Sequence, residues 1–376
     1  MTLPRPLTSL SARRGLLRWA WALPWWCSPW AAAQHPASGG AGTPVLREHF
    51  WLDAKGRLWR HDTGLSTAPP VQLGEGPWRL RVLSGDGLYL LLVHEQLPVL
   101  QILSREGRVL QTHALRSRDG LLTARVSAVV DATARRSFLV ALQDLPEIWE
   151  ISYNPRAEEI YEGLVHDFRM GEGVPMRGFL GVRRIRLPEP LAEVIADPIG
   201  MHALGVSAGA QGAARQAEAL RVINLDVRRE LASLAVPVTL PLPGHAVFDE
   251  QGRLLLVQSL PAGTRLLRVD LEARRWTPVA QWPWVSEAWH GHTGALNLWV
   301  SVQDARGRPD HVQALDRRTL QPVGRPIRPG EGVSVLEMGR DGTQVLLLSR
   351  GAGDADRVEV LSEASGEVLG SFTLAR

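Results

Sequence analysis

A unit made of a tight turn followed by an apolar run recurs along this chain, and it restricts the fold more than any other feature. Turns that contain Asp or Gly precede apolar runs at residues 88–93, 137–142, 254–260, 296–302 and 343–349. An alternating segment and a polar turn follow each run. Alternation with a period of two, with turn residues at both ends, is typical of antiparallel strands with one buried face.

The spacing of these units predicts the architecture. The markers are Asp86, Asp131, Asp249 and Asp341, with weaker ones near Asp197 and His292. They recur roughly every 43–66 residues, close to the length of a four-stranded blade with its loops. With an N-terminal piece that starts at His49, they predict an all-β fold, a β-propeller of about seven blades. Only residues 213–220 have the composition of a short helix.

Residues 1–33 have the pattern of a secretory signal. They contain four arginines and no acidic residue, then an apolar, Trp-rich run and three alanines before Gln34. This order predicts a basic region, an apolar region and a cleavage site before Gln34. The Arg13-Arg14 pair resembles a twin-arginine signal, which exports folded proteins to the periplasm; an ordinary secretory signal is the alternative.

The expected organisation is therefore a signal peptide at 1–33, a flexible segment at 34–45 and a single propeller domain at 46–376. Outside the signal, no run approaches the ~18–20 apolar residues that span a bilayer, so no transmembrane segment is expected.

The charge balance argues against a nucleic-acid partner. The chain has 42 Lys and Arg against 39 Asp and Glu, and without the four arginines of the signal the balance is 38 against 39. The basic excess therefore lies in the signal and not on a binding surface.

The one cysteine, Cys27, also lies in the signal. Without a Cys-x-x-Cys-His motif, the sequence predicts no c-type heme.

Residues 123–173 combine two strand-like runs with a polar segment that carries a histidine. Turn residues close the runs at 137–142 and 147–153, and His166-Asp167 and a Gly-x-Gly turn follow. This order predicts a β-hairpin that holds a loop with His166. Functional sites are often built from such loops on a rigid sheet.

Four segments carry a resemblance to a known family. They read ARVSAVVDATARRSFLVAL (124–142), PEIWEISYNP (146–155), YEGLVHDFRMGEG (161–173) and RVINLDVRREL (221–231). They resemble the d1-heme propeller proteins, which are the d1 domain of cytochrome cd1 nitrite reductase and its relatives in d1-heme biosynthesis. The resemblance covers residues 50–374 and implies a β-propeller, eight-bladed in the family and of seven to eight blades here.

The resemblance also implies the position of a missing blade. Residues 50–63 lead almost directly to residues 74–93, which resemble the third blade of the family. The second blade, which begins with the histidine that ligates the d1 iron from below, is therefore expected to be absent. His49, His61 and Met170 are the remaining candidates for this ligand, and none has a motif behind it, so the metal ligand is left unknown.

The resemblance assigns roles to two histidines. His166 matches the first histidine above the iron, and His245 matches the second, although Ala246-Val247-Phe248 replace the glycine-rich residues of the family. Their implied task is general acid–base work on a bound anion. The alternative for each is a loop residue without ligand contact.

Four arginines match family motifs, and the resemblance implies that they bind the carboxylates of the tetrapyrrole. They are Arg79, Arg125, Arg183 and Arg184. The alternative for each is a solvated surface residue.

The function that the resemblance implies is binding of heme d1 or a late tetrapyrrole precursor by an exported propeller, in d1-heme biosynthesis or carriage. The resemblance also allows a nitrite-reductase-like role in denitrification. Any enzymatic activity would be that of an oxidoreductase. The expected partners are the tetrapyrrole and a periplasmic electron donor or maturation protein. The alternative function is a propeller that binds no heme and serves as a periplasmic interaction scaffold.

Overall fold

The structure is a computed structural model of the chain. It describes residues 48–52, 55–62, 71–74, 76–161, 175–207, 216–240, 242–249, 251–260, 263–283, 285–290, 297–303, 309–327, 333–338, 344–350, 355–362 and 367–375. All of them lie in one compact unit, Val45–Arg376.

The described residues form seven antiparallel sheets that follow one another along the chain. Sheet 1 contains β1 (Glu48–Leu52), β2 (Leu58–Asp62) and β3 (Val71–Gly74). Sheet 2 contains β4 (Trp78–Leu83), β5 (Tyr89–His94), β6 (Val99–Ser104) and β7 (Val109–Ala114). Sheet 3 contains β8 (Val126–Ala132), a 3-10 turn (Thr133–Arg135), β9 (Ser137–Leu142), β10 (Glu147–Ser152) and β11 (Val182–Arg186).

The second half of the chain continues the pattern. Sheet 4 contains β12 (Leu191–Ala196), β13 (His202–Ser207), β14 (Gln216–Asn224), β15 (Arg229–Glu230) and β16 (Leu234–Thr239). Sheet 5 contains α1 (Leu242–His245), β17 (Ala246–Phe248), β18 (Leu254–Leu260), β19 (Gly263–Asp270) and β20 (Arg275–Trp282). Sheet 6 contains β21 (Val285–His290), β22 (Asn297–Gln303), β23 (Pro309–Asp316) and β24 (Pro322–Ile327). Sheet 7 contains β25 (Val333–Met338), β26 (Gln344–Arg350), β27 (Ala355–Ser362) and β28 (Val368–Ala375).

Five of the seven sheets have four strands joined in sequence order, which confirms the predicted all-β propeller. Sheet 1 has three described strands, and in sheet 4 the strand β16 pairs with β14. Only three residues separate β3 from β4, so no blade lies between sheets 1 and 2. The expected run at 137–142 coincides with β9.

The core lies between consecutive sheets. Six clusters of buried apolar side chains are found, and each fills the space between two neighbours, from sheets 1 and 2 to sheets 6 and 7. The cluster between sheets 2 and 3 contains Leu91, Ile102, Phe138 and Trp149. Sheets 2 to 6 thus bury apolar side chains on both faces, which explains why β9 is buried at every position.

The short helix expected at residues 213–220 is wrong where the structure describes it, because residues 216–220 belong to β14. Gln216 pairs with Thr239, and Leu220 pairs with Leu234. Helix propensity is a weak preference, and the pairing with β16 together with burial of Leu220 overrides it.

Candidate functional site at the front face

The first strands of neighbouring sheets lie side by side. β4 contacts β1 and β8, β8 contacts β12, and β21 contacts β17 and β25. α1, which leads into β17, contacts both β12 and β21. We call the end at which these elements begin the front face; it is defined by Trp78, Val126, Leu191 and Leu242. The opposite end, where the turn from the first to the second strand lies, is the back face.

A β-bulge recurs near the start of the first strands. In sheets 2, 3, 4, 6 and 7 the pairing with the second strand skips one residue within the first three positions. The skipped residues are Arg79, Ser127, Ala192, Glu287 and Ser334. A bulge bends its strand and re-aims a side chain, and bulges are common beside functional sites. The sequence has no signal for these bulges.

Side chains at the start of one first strand bond to the start of the next. The Arg79 guanidinium donates a hydrogen bond to the Val126 carbonyl, which joins sheets 2 and 3. The Ser127 hydroxyl donates to the Leu191 carbonyl over 2.6 Å, which joins sheets 3 and 4. These bonds align the first strands and place their starts at one level.

The same pattern joins sheets 4 and 5 through Glu193. This residue directly follows the bulge of β12, and its carboxylate accepts a hydrogen bond from the Leu242 N–H, at the start of α1. Burial raises the pKa of Glu193, and the hydrogen bond from Leu242 opposes that rise. The sequence analysis missed Glu193, because it lies in an ordinary apolar strand, LAEVIA, and no motif marks it.

His245 lies at the front face. It is the last residue of α1 and directly precedes β17. Its side chain is 2 % exposed. Because α1 contacts the first strands of sheets 4 and 6, His245 and Arg79 belong to the same end of the propeller. The acid–base role of His245 stays a prediction.

Arg125 also lies at the front face, directly before β8, and it is engaged with Asp144. The guanidinium and the backbone N–H of Arg125 donate hydrogen bonds of 2.9 to 3.1 Å to the two carboxylate oxygens of Asp144. The pair holds the start of β8 against the turn between β9 and β10. The side chain of Arg125 is 67 % exposed, so a ligand can reach it.

Arg183 and Arg184 lie elsewhere, on the outermost strand of sheet 3, and are not brought together with Arg79 and Arg125. Arg183 donates to the Glu158 carbonyl over 2.6 Å. Arg184 donates to the Glu147 carboxylate over 2.9 Å, and its guanidinium stacks on the Trp149 ring at 4.6 Å. Arg184 also lines an outer groove of about 370 Å³ between β7 and β11.

His166 lies outside the described residues, as does Met170. An antiparallel bridge between Ile160 and Met176, with N···O distances of 2.8 and 2.9 Å, joins the two described ends of the connection on either side of them. Ile160 and Met176 belong to the connection between β10 and β11, which leaves sheet 3 from the back face. The pocket role of His166 stays a prediction.

The other candidates for an axial ligand occupy sheet 1. His49 and His61 are directly opposite each other in the pairing of β1 with β2. Among the residues that the structure describes, no group of three or more His, Cys, Asp or Glu side chains is arranged to hold a metal ion. The described residues therefore contain no side-chain cluster that identifies an axial ligand for the iron.

The back face contains a buried hydrogen-bond network that is centred on Asp131. The Tyr153 hydroxyl donates to Asp131 over 2.8 Å, and the Thr133 hydroxyl donates to the other oxygen of that carboxylate. Burial raises the pKa of Asp131, and the bonds from Thr133 and Tyr153 oppose that rise. The Gly85 N–H of sheet 2 donates to the Tyr153 oxygen over 3.3 Å, so the network joins two sheets.

Seven consecutive antiparallel sheets that bury apolar layers between them, with bonded first strands, define the chain as a β-propeller. A relative in sequence is dihydro-heme d1 dehydrogenase of Pseudomonas aeruginosa, 25 % identical over 228 residues, which are 60 % of this chain and 40 % of the relative. This similarity confirms the resemblance to the d1-heme propeller proteins. The chain spans only about 40 % of the length of that relative. No family model matches the chain.

Two solved structures share the fold. Dihydro-heme d1 dehydrogenase NirN in complex with DHE superposes with a TM-score of 0.59 at 21 % identity, over 88 % of this chain and 64 % of that one. The Cps50 (Swd1) β-propeller domain of Myceliophteria thermophila superposes with a TM-score of 0.53 at 14 % identity, over 83 % of this chain and 91 % of that one. Both confirm the propeller. No helix among the described residues is long and apolar enough to cross a bilayer.

Proposed function

We propose that this chain is an exported propeller that binds heme d1 or a late tetrapyrrole precursor at its front face, in the biosynthesis or carriage of d1 heme. The observation that carries the proposal is the convergence of Arg79, Arg125, Glu193 and His245, from four consecutive sheets, at one end of the first strands. The sequence similarity to dihydro-heme d1 dehydrogenase supports the choice of ligand class.

The chemistry of these side chains fits a tetrapyrrole that carries carboxylates. A guanidinium has five N–H donors in a planar fork, so Arg79 retains donors beyond the one that bonds to Val126. Arg125 is largely exposed beside its partner Asp144 and presents a second cation. Both arginines would hold carboxylates of the ligand, and the bound tetrapyrrole itself would supply the redox chemistry.

His245 would exchange protons with the ligand or with an anion bound to it, since neutral imidazole is an effective acid–base group near neutral pH. His166 would share this role if its segment, which leaves sheet 3 from the back face, extends to the front face. Electrons would be exchanged with a periplasmic donor or a maturation protein. A maturation or carrier role is the form of the proposal that the similarity to dihydro-heme d1 dehydrogenase favours.

A visible absorption titration with heme d1 tests the proposal. The wild type should give a saturable spectral change at stoichiometric protein. Arg79→Ala should weaken binding by about tenfold or more, since a charge-assisted hydrogen bond contributes roughly 1.5–3 kcal/mol. His245→Ala should alter the spectrum of the complex, and His166→Ala tests whether the segment of His166 reaches the ligand.

Arg183→Ala is the matched control, because it removes an arginine of sheet 3 that bonds to a backbone carbonyl away from the front face. It should bind heme d1 like the wild type. A loss equal to that of Arg79→Ala would contradict binding at the front face.

A second candidate function is a periplasmic scaffold that binds no heme. It is favoured by the bonds that Arg79, Arg125, Arg183 and Arg184 already make inside the protein. Under this function, the titration would show no spectral change while circular dichroism showed a folded β protein.

Export is the remaining part of the proposal and rests on residues 1–33. We propose the twin-arginine route to the periplasm. Mass spectrometry of the periplasmic protein should find a chain that starts at Gln34, and replacement of Arg13-Arg14 by two lysines should stop its export.

A further inference from the structure

Two prolines reduce the number of backbone donors in the connection between sheets 4 and 5. Its sequence is Pro241-Leu242-Pro243-Gly244-His245. Proline has no N–H, so Leu242 supplies the only backbone donor among residues 241–243. That N–H donates to the carboxylate of Glu193, in the first strand of the neighbouring sheet. A side chain 49 residues away in the sequence therefore provides the acceptor for this turn.

A second contact fixes the turn from the opposite side. The Leu242 side chain is fully buried and packs in the core cluster between sheets 4 and 5, with Val206, Leu220 and Leu256. Leu242 is thus held by its side chain in the core and by its N–H on Glu193. Pro243, which directly follows Leu242, has a fixed φ and no N–H.

His245 follows Leu242 by three residues and ends the same short helix. One helical turn separates the two positions, so a shift of Leu242 is transmitted directly to His245. α1 contacts β12, the strand that carries Glu193, and β21 on its other side.

We propose that Glu193 is the positioning residue of His245, and that its bond to the Leu242 N–H sets where the imidazole lies at the front face. The consequence for ligand chemistry rests on the proposed function. The positioning itself does not, since every contact that carries it is made within the chain.

The test uses the whole exported protein with three substitutions. Glu193→Ala removes the acceptor. Glu193→Gln keeps an amide oxygen that can accept the same hydrogen bond. Glu106→Ala is the control, because Glu106 is an exposed glutamate in the turn between β6 and β7. If Glu193→Ala precipitates, Glu193→Asp, which withdraws the carboxylate by one methylene, takes its place.

The first measurement needs no ligand. Hydrogen exchange of the Leu242 amide should accelerate by about tenfold in Glu193→Ala, the change that loss of one hydrogen bond of about 1.4 kcal/mol predicts. The imidazole NMR signal of His245, assigned by its loss in His245→Ala, should shift in the same variant. Both should stay near the wild type in Glu193→Gln and Glu106→Ala.

The second measurement is the titration with heme d1. Glu193→Ala should weaken binding or alter the absorption spectrum, and Glu193→Gln should restore the wild-type result. Unchanged exchange and an unchanged His245 signal in Glu193→Ala would overturn the positioning role, whatever the titration gives. Changed exchange and a changed signal in a protein whose wild type binds no heme d1 would uphold the positioning role and reject the proposed function.

Discussion

Glu193 and Asp131 are both carboxyl groups on the first strands of neighbouring sheets, one at the front face and one at the back. Burial raises the pKa of each. Asp131 accepts hydrogen bonds from two hydroxyls, those of Thr133 and Tyr153, within a network that reaches sheet 2. Among the described residues, Glu193 accepts one, from the N–H of Leu242. A raised pKa alone therefore does not distinguish a structural carboxyl group from a candidate functional one. The hydrogen-bond donors to the carboxyl group make that distinction.

The same contrast holds for the aspartates that mark the repeat. Three of them, Asp86, Asp197 and Asp249, lie at the back face, and their carboxylates accept hydrogen bonds from backbone N–H groups of the turn. The donors are Leu88 for Asp86, Met201 and His202 for Asp197, and Gln251 and Arg253 for Asp249. Turn chemistry thus occupies these positions of the back face, whereas the groups proposed to meet a ligand, Arg79, Arg125 and His245, lie at the front face.

The largest effect is expected from Arg135→Ala at the back face. Arg135 donates to Glu150 over 2.9 Å, and Glu150 is buried at 3 % exposure. Arg135 also bonds to Gly200 and Asp226 of sheet 4. Loss of the cation leaves a buried charge without its counter-ion, which costs about 3 kcal/mol or more. Urea unfolding should measure this loss, and the double variant Arg135→Leu with Glu150→Leu should recover part of it. An unchanged midpoint would contradict a structural back face.

A smaller and pH-dependent effect is expected from Tyr153→Phe. The hydroxyl bonds to Asp131, and its removal should cost about 1–2 kcal/mol near neutral pH. The pKa of Asp131 is raised on folding, so the stability that its protonated form contributes is present below about pH 4 and is lost as the pH rises through the folded pKa.

Removal of the Tyr153 hydroxyl should raise that folded pKa further, because its hydrogen bond lowers it in the wild type. The cost of Tyr153→Phe should therefore shrink as the pH falls. Urea unfolding of both proteins between pH 4 and 8 measures this trend, with Tyr161→Phe, an exposed tyrosine, as the control. A cost that grew on acidification would contradict the assignment of Asp131 as the acceptor.

The smallest effect on stability is expected from Arg125→Ala at the front face. Exposed ion pairs contribute little, so the midpoint of thermal unfolding should stay within the scatter of the wild type. Heme d1 affinity should nevertheless fall, because a cation for the ligand is lost. Asp144→Ala frees the same guanidinium and should leave affinity equal or higher. A variant of Arg125 that lost stability and kept affinity would place this residue with the structural arginines.

Local patterns were sufficient to predict the strands. The run SFLVAL has turn residues on both sides and became β9 at the expected bounds. The predicted helix at 213–220 was wrong because local composition does not register the partner strand β16, which follows β14 with the short strand β15 between them. His245 could be singled out through a resemblance, but its burial between sheets 4 and 6 has no local signature.

Glu193 shows most clearly why part of the site could not be read from the chain. Nothing in the segment LAEVIA distinguishes the Glu193 carboxyl group from that of any other partly exposed glutamate in an apolar strand. Its importance comes from a bulge at Ala192 and from a turn of the next sheet, both of which depend on how the sheets are arranged around each other.

The sequence by itself determined that this protein is a propeller, because period-two alternation and capped turns are local properties that repeat with each sheet. The tertiary structure alone decided which side chains share the front face. Arg79, Arg125, Glu193 and His245 come from four sheets, and only the lateral packing of the first strands, through hydrogen bonds such as that from Ser127 to Leu191, brings their positions to one end.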